Sequence, residues 1–201
     1  MFVWERITMK KMLVGLLLSM PVAMAATPAW AQAVEAARGR QLSLTAGVIA
    51  SGFDPKYATN YPLMGPGTYV DVHFTHWFQI EAEGRWLFLN SYYGEEQSNY
   101  LIGPRVPIKR FGRFQTYGKA LIGIAHMTFP EGDYYSTGHF TDLAFGATVD
   151  YRLNRRWSIR PLDFEYQYWP KFIPQNPLMP NGPTTSLQPI GLSIGLGYRI
   201  F

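Results

Sequence analysis

Ser186–Phe201 reads SLQPIGLSIGLGYRIF, and this stretch decides the fold. Ile190, Leu192, Ile194, Leu196 and Tyr198 alternate with Gly191, Ser193, Gly195, Gly197 and Arg199. A period of two puts an apolar row on one side of a strand and a small or polar row on the other. The sequence then stops on an aromatic residue, Phe201. A strand this regular, left at a sheet edge, would offer its unpaired amides to any passing chain. The expectation is that it closes a barrel by pairing with the first strand.

Seven upstream stretches repeat the alternation. They are Gln41–Ala50, Thr68–Thr75, Phe78–Leu89, Ser98–Val106, Arg113–Met127, His139–Leu153 and Trp157–Tyr168. With the final stretch they make eight strands, each near the roughly 9–11 residues that a tilted membrane strand needs. Pro104 is expected to mark a bulge or an early end in the fourth. The phase of the seventh slips at Pro161, where a bulge would absorb it. The connections run long (Ser51–Gly67), short (His76-Trp77), medium (Asn90–Gln97), short (Pro107–Gly112), long (Thr128–Gly138), short (Asn154–Arg156) and long (Trp169–Thr185). Short turns on one side and longer loops on the other, with both ends of an even-stranded barrel on the short-turn side, is the outer-membrane arrangement. The predicted fold is all-β: an eight-stranded antiparallel up-and-down transmembrane β-barrel.

Composition agrees. Aromatic residues make up 16% of the 201-residue chain, and charged residues also 16%, against about 25% charged in an ordinary soluble domain. The absence of cysteine excludes disulfide and thiol chemistry. Four scattered histidines argue against a metal site, and no cofactor is expected. Lys10, Lys11, the apolar run Met12–Met24 and Ala29-Trp30-Ala31 read as a secretory signal, with Met1 or Met9 as its start. The expected domains are a signal peptide over residues 1–31 and a barrel over 32–201, with Ala33 the alternative cleavage point. Without Arg6, Lys10, Lys11 and Glu5, the 18 basic and 14 acidic residues fall to 15 and 13. That small surplus is not a nucleic-acid footprint.

Alternation alone does not say which row faces inward. A soluble sandwich or lipocalin-like barrel points its apolar row inward, whereas a membrane barrel points it at lipid. The signal, the low charge and the aromatic strand ends favour the membrane. Trp77, Phe78, Phe111, Phe114, Trp157 and Phe201 gather at the short-turn end, and Tyr92, Tyr93, Tyr134, Tyr135, Tyr168 and Trp169 at the other. Two such girdles suit the two membrane interfaces. In an eight-stranded barrel the bore is only wide enough for side chains. Asp71, Glu81, Glu83, Asp150, Asp163 and Glu165 are then expected to meet Arg85, Arg105, Lys119, Arg152, Arg160 and Arg199 in a balanced, salt-bridged plug.

The leader ending AWA-QA, the run FQTYGKALIGIAHM, the run LNRRWSIRPLDFEYQYW and the ending GLGYRIF resemble the outer-membrane β-barrel domain family around OmpA-type and OmpX-type barrels. The resemblance covers essentially the whole mature chain. It implies an outer-membrane protein with a structural, adhesin-like or defence-like surface role and no catalytic site. It also implies outer-membrane lipids and the outer-membrane assembly machinery as partners, the latter reading a terminal aromatic signal. Here the closing residues are Tyr198, Ile200 and Phe201, and Arg199 stands where the family pattern has a Tyr in phase with the last Phe.

Two other constellations carry chemistry. His126-Met127-Thr128 faintly resembles the His-x-Ser pair of lipid A deacylases, which are also eight-stranded barrels. Thr replaces Ser, however, and spacing fixes no acid, so a girdle histidine is the plainer reading. Asp71 and His73 fall two apart on the lumen row, as a structural hydrogen-bonded pair or, less simply, a proton relay. The basic short turns (Lys109, Arg110, Arg113, Arg155, Arg156) suit anionic headgroups. The Tyr- and Pro-rich loops suit an extracellular ligand. A lipid A-modifying enzyme and a soluble periplasmic ligand-binding barrel are the alternative functions.

Overall fold

The computed structural model describes residues 42–56, 61–91, 94–131, 134–172 and 185–201, without the side chains of 129–136, 172 and 185. The expected signal peptide, Tyr92, Tyr93 and most of the Trp169–Thr185 loop lie outside the described residues. The strands are β1 (Ser43–Asp54), β2 (Leu63–His73), β3 (Gln79–Leu87), β4 (Glu96–Phe111), β5 (Phe114–Glu131), β6 (Tyr134–Arg152), β7 (Trp157–Phe172), β8 (Thr185–Leu187) and β9 (Ile190–Arg199). Each pairs antiparallel with its neighbour from β1 to β7, and β9 lies between β7 and β1. The sheet is therefore a closed ring of eight strand positions, with β8 a short outer segment paired to β7 ahead of β9.

The closing strand does what its alternation predicts. Thr45↔Arg199 through Asp54↔Ile190 zip β1 to β9 without a break. The small row of β9 faces inward, and it has to. A Cβ on Gly191 would overlap the Phe53 ring, and Ser193 Oγ meets Ser51 Oγ at 2.8 Å across the seam. The ladder continues past Arg199, since Ile200 N–H donates to the Leu44 carbonyl at 2.8 Å and Leu44 N–H to the Phe201 carbonyl at 3.2 Å.

The apolar rows face outward. Ile122, Phe145 and Leu192 are 55%, 53% and 54% exposed, whereas Arg105, Arg160 and Glu81 are 0% exposed. A soluble barrel would show the reverse, so the lipocalin-like alternative is excluded. Trp77, Phe111, Phe114, Trp157 and Phe201 form the exposed girdle at the short-turn end. Toward the other end Trp86 donates to the Tyr100 hydroxyl at 2.8 Å, a pair suited to an interface that is apolar below and wet above. Trp169 does not join that girdle. It is fully buried and stacks on Phe140, with ring centroids 5.6 Å apart.

Several strands outrun their sequence-based limits. Ser51–Asp54 and Leu63–Gly67 pair as strand, up to Phe53↔Leu63, where the sequence suggests a long loop. Pro104 neither ends nor bulges β4. It lies opposite Ile80, and the register shift comes later, between Pro107 and Lys109. The slip at Pro161 is real: β7 gains one residue on both neighbours, between Ile159 and Leu162 against β6 and between Arg160 and Asp163 against β9. The turns are built locally. Gly112, at φ 60°, takes the first central position of the Phe111–Phe114 hairpin, where a II′ turn requires a positive φ. The Asn154 side chain accepts from the Arg156 and Trp157 amides, both at 2.8 Å.

Candidate functional site: the ion-pair layer of the lumen

Because inward positions recur every second residue, neighbouring strands stack their charges at one depth. β3 brings Glu81, Glu83 and Arg85, β5 brings Lys119, β4 brings Arg105, and β7 brings Arg160, Asp163 and Glu165. Asp71 on β2 and Asp150 on β6 complete the layer on the short-turn side.

Lys119 is its centre. Its ammonium lies 2.6 Å from Glu83, 2.9 Å from Asp163, 3.0 Å from Glu165 and 3.3 Å from Glu81. Glu81, Glu83 and Asp163 bring oxygen atoms within 4.8 Å of one another, a spacing that suits a cation, and the ammonium stands among them. Arg160 spans Glu81 (2.7 Å), Asp71 (3.0 Å), Asp150 (3.1 Å) and Asp163 (3.2 Å). Arg105 meets Asp150 at 2.7 Å and Asp71 at 2.9 Å, and donates to Thr148 at 2.6 Å. Arg85 grips Glu165 in a two-pronged contact of 2.7 and 2.9 Å and also bonds Glu83. Such forked pairing is the strong form of the charge-assisted hydrogen bond. Two guanidiniums also lie flat on aromatic rings, Arg105 on Tyr117 at 3.6 Å and Arg160 on Tyr69 at 3.8 Å.

Two expected members are elsewhere. Arg152 and Arg199 make none of these ion pairs and line the cavity at the short-turn mouth. Both have lumen parity, but they sit at the wrong depth: Arg152 pairs with Ser158, and Arg199 with Thr45 at the last rung. The layer is therefore four cations against six carboxylates, not six against six. Nor do Asp71 and His73 form a pair. The Asp71 carboxylate is taken by Arg105 and Arg160, and His73 Nδ1 has no hydrogen-bond partner among the described residues.

Sequence reasoning missed two further layers. Toward the long-loop end the ions give way to amides: Gln167 donates to Glu165 at 2.8 Å, Asn99 to Asp142 at 2.7 Å, and Gln97 to Asn99 at 2.8 Å. Above them is a dry cap. Phe53, Leu63 and Leu87 form one buried cluster, and Ala125, Met127, Phe140, Trp169 and Leu187 another. All of these residues share the lumen parity of their strands, which was the available signal.

On the outer wall His126 sits opposite His139, with rings 4.5 Å apart, and Ser98 is its partner on β4. Neither imidazole is ion-paired to a carboxylate among the described residues. The closing residues Tyr198, Ile200 and Phe201 lie at the short-turn rim, where Tyr198 packs edge-on against Trp157 at 5.0 Å.

Known proteins show the same architecture. Neisserial surface protein A superposes with a TM-score of 0.52 at 11% identity, over 78% of this chain and 96% of that one. A major outer membrane protein from Thermus thermophilus gives 0.50 at 11% identity, over 80% and 100%. Ail, the attachment invasion locus protein of Yersinia pestis, gives 0.48 at 17%, over 79% and 97%. No curated protein matches by sequence. The family described as outer membrane protein beta-barrel domain matches residues 17–199. With the lipid-facing apolar rows and the closed ring, that match places the protein: it belongs to the outer membrane β-barrel domain family and resides in the bacterial outer membrane.

Proposed function

We propose that this is a non-enzymatic envelope barrel with a structural or surface-interaction role. Its bore is closed to ions, and its long loops carry whatever contact it makes outside the cell. Residues 1–31 act as the signal peptide, leaving 32–201 as the barrel. Tyr198, Ile200 and Phe201 serve as the closing signal for the assembly machinery.

One observation carries this reading: the bore is filled. Arg105, Lys119 and Arg160, with their carboxylates, are at most 5% exposed except at the Asp150 rim, and the apolar cap lies above them. An ion crossing this layer would have to part several charge pairs at once in a low dielectric. A barrel that neither conducts nor presents a paired nucleophile and base leaves its loops and outer wall as the working surfaces. Reconstitution in planar bilayers tests this, with no stable conductance expected. A steady, large open level would overturn it. Mass spectrometry of lipid A from cells with and without the protein tests the absence of catalysis, and a shifted acyl pattern that vanishes in His126→Ala would restore the enzyme.

A further inference from the structure

We infer that the periplasmic mouth of the barrel is a binding site for a phosphoryl group, borne by a phosphate ester whose remainder lies in the adjoining cleft. The mouth is ringed by Arg110, Arg113, Arg152, Arg155, Arg156 and Arg199 around a cavity of about 80 Å³. Arg113, Arg152, Arg155 and Arg199 also line a wider cleft of about 410 Å³ that opens from it.

Among the described residues these arginines have no internal counter-charge. None is in an ion pair among the described residues. Arg110 bonds only the Gly112 carbonyl at 3.2 Å, and Arg156 the Tyr198 hydroxyl at 3.3 Å. Two carboxylates line the cavity, Asp71 and Asp150, and both are already committed to Arg105 and Arg160. A guanidinium does not relieve repulsion by losing its proton, as a lysine or histidine would. Six fixed positive charges around one opening therefore hold an anion of more than one charge.

Size and shape narrow the class. The inner cavity is several times the minimum that holds one water, the scale of one tetrahedral oxyanion group. Guanidinium forks match phosphate oxygens two at a time, which a cluster of lysines would not do. The floor contributes Tyr117 and Ser158, and Trp157 stands at the rim. The cavity is on the barrel axis and reached from the periplasm. Two sources supply this chemistry there: a soluble phosphate ester, or the headgroup of an inner-leaflet phospholipid folded in over the rim.

The test uses the refolded mature barrel in maltoside detergent, which holds no phosphate, with glycerol 3-phosphate as the probe in calorimetric titration at low salt. Saturable binding is expected, weakening with added salt. Arg113→Gln, Arg152→Gln and Arg199→Gln should each weaken it about tenfold, the worth of one charge-assisted hydrogen bond. Lys171→Gln, on the opposite end, should leave it unchanged. Each variant is first shown to be folded by its heat-modifiable gel migration, and the three single changes stand in for a triple variant that fails to close. In a second arm, barrels extracted from phosphatidylglycerol nanodiscs are assayed for retained phospholipid. Retention by the native barrel and not by Arg152→Gln identifies the headgroup as the source, and titration with glycerol 3-phosphate alone identifies a soluble ester. The inference is overturned by no saturable binding, by binding as tight as the native barrel's in all three arginine variants, or by acetate competing as well as the probe.

Discussion

Lys119 is the residue on which the lumen reading can be tested hardest. Its ammonium lies within 3.3 Å of four buried carboxylates. At an effective dielectric of about 20, a contact near 3 Å is worth about 5 kcal/mol gross. Desolvation of the ammonium and repulsion among the four carboxylates offset most of that sum. What remains on truncation is the cost of leaving buried charge unpaired, about 3–5 kcal/mol. Lys119→Met keeps the apolar stem of the side chain as far as Cε, so the loss is nearly all charge. It turns four cations and six carboxylates into three and six. The penalty should be largest at high pH and shrink as pH falls, because one proton taken up by the cluster replaces the missing charge. Adding Glu83→Gln should do the same at fixed pH, making the double variant more stable than Lys119→Met alone. The assay is urea unfolding in lipid vesicles, followed by tryptophan fluorescence at pH 5 and pH 9. A cost below about 1 kcal/mol at pH 9, or strict additivity of the two substitutions, would mean that Lys119 does not offset the charge of these carboxylates.

The other outcomes follow from the same layering. Asp142 is buried and in no ion pair among the described residues, and it accepts from neutral donors such as Asn99, so Asp142→Asn should cost less than about 1 kcal/mol; Glu165→Gln, which breaks the fork to Arg85, should cost about 3 kcal/mol or more in the same unfolding assay. Ile122→Arg puts a guanidinium on the outward face and should cost about 2–4 kcal/mol in vesicles, a loss that a soluble barrel would not show. Trp169 is buried within the bore, so brominated lipids should quench Trp77 and Trp157 but leave its emission intact in single-tryptophan variants. Replacing Arg85, Lys119, Glu83 and Glu165 together by Met, Met, Leu and Leu removes two cations with the two carboxylates they share, and leaves Arg105 and Arg160 on the other four. This variant should still fold, but into more than one register, seen as doubled amide signals in NMR.

Parity was legible in the sequence and depth was not. Residues two apart share a face whatever the tertiary structure, so Ile122, Phe145 and Leu192 could be assigned together against Lys119, Asp150 and Ser193. How far along the axis a residue sits depends on the stagger between strands, which no local pattern records. Arg152 and Arg199 show the consequence: they have lumen parity but lie at the last rungs, too far toward the periplasm to reach Glu81 or Asp163. The long-loop end failed for another reason. There the barrel carries its own dry core, so Leu63, Leu87 and Met127 are apolar on the face that is ionic lower down in their strands, and the contrast between the two faces fades. Prolines at 62 and 66 add to the appearance of a loop. Trp169, next to Tyr168, reads as half of an aromatic pair, although it is in phase with Asp163, Glu165 and Gln167.

The same division explains what the charged interior does for the fold. In lipid the outward row cannot fix a register, because acyl chains surround an isoleucine as readily as the next isoleucine does. A one-residue slip is forbidden, since it turns the ionic row toward the bilayer. A two-residue slip is not: it keeps every apolar residue outside and every polar one inside. Where no tight turn pins the strands, the interior distinguishes these registers. Shifting β3 by two against β4 and β2 would draw Arg85 from Glu165 and bring it toward the apolar cap, and would leave Lys119 facing fewer carboxylates. The pairs that settle the register join positions far apart in sequence, such as Lys119 with Glu83, 36 apart, and Arg160 with Asp71, 89 apart. Buried ion pairs are weak contributors to net stability because desolvation offsets them, but a mispaired set carries the desolvation without the attraction. The ion-pair layer therefore separates the closed native register from its near neighbours by more than it separates folded from unfolded chain.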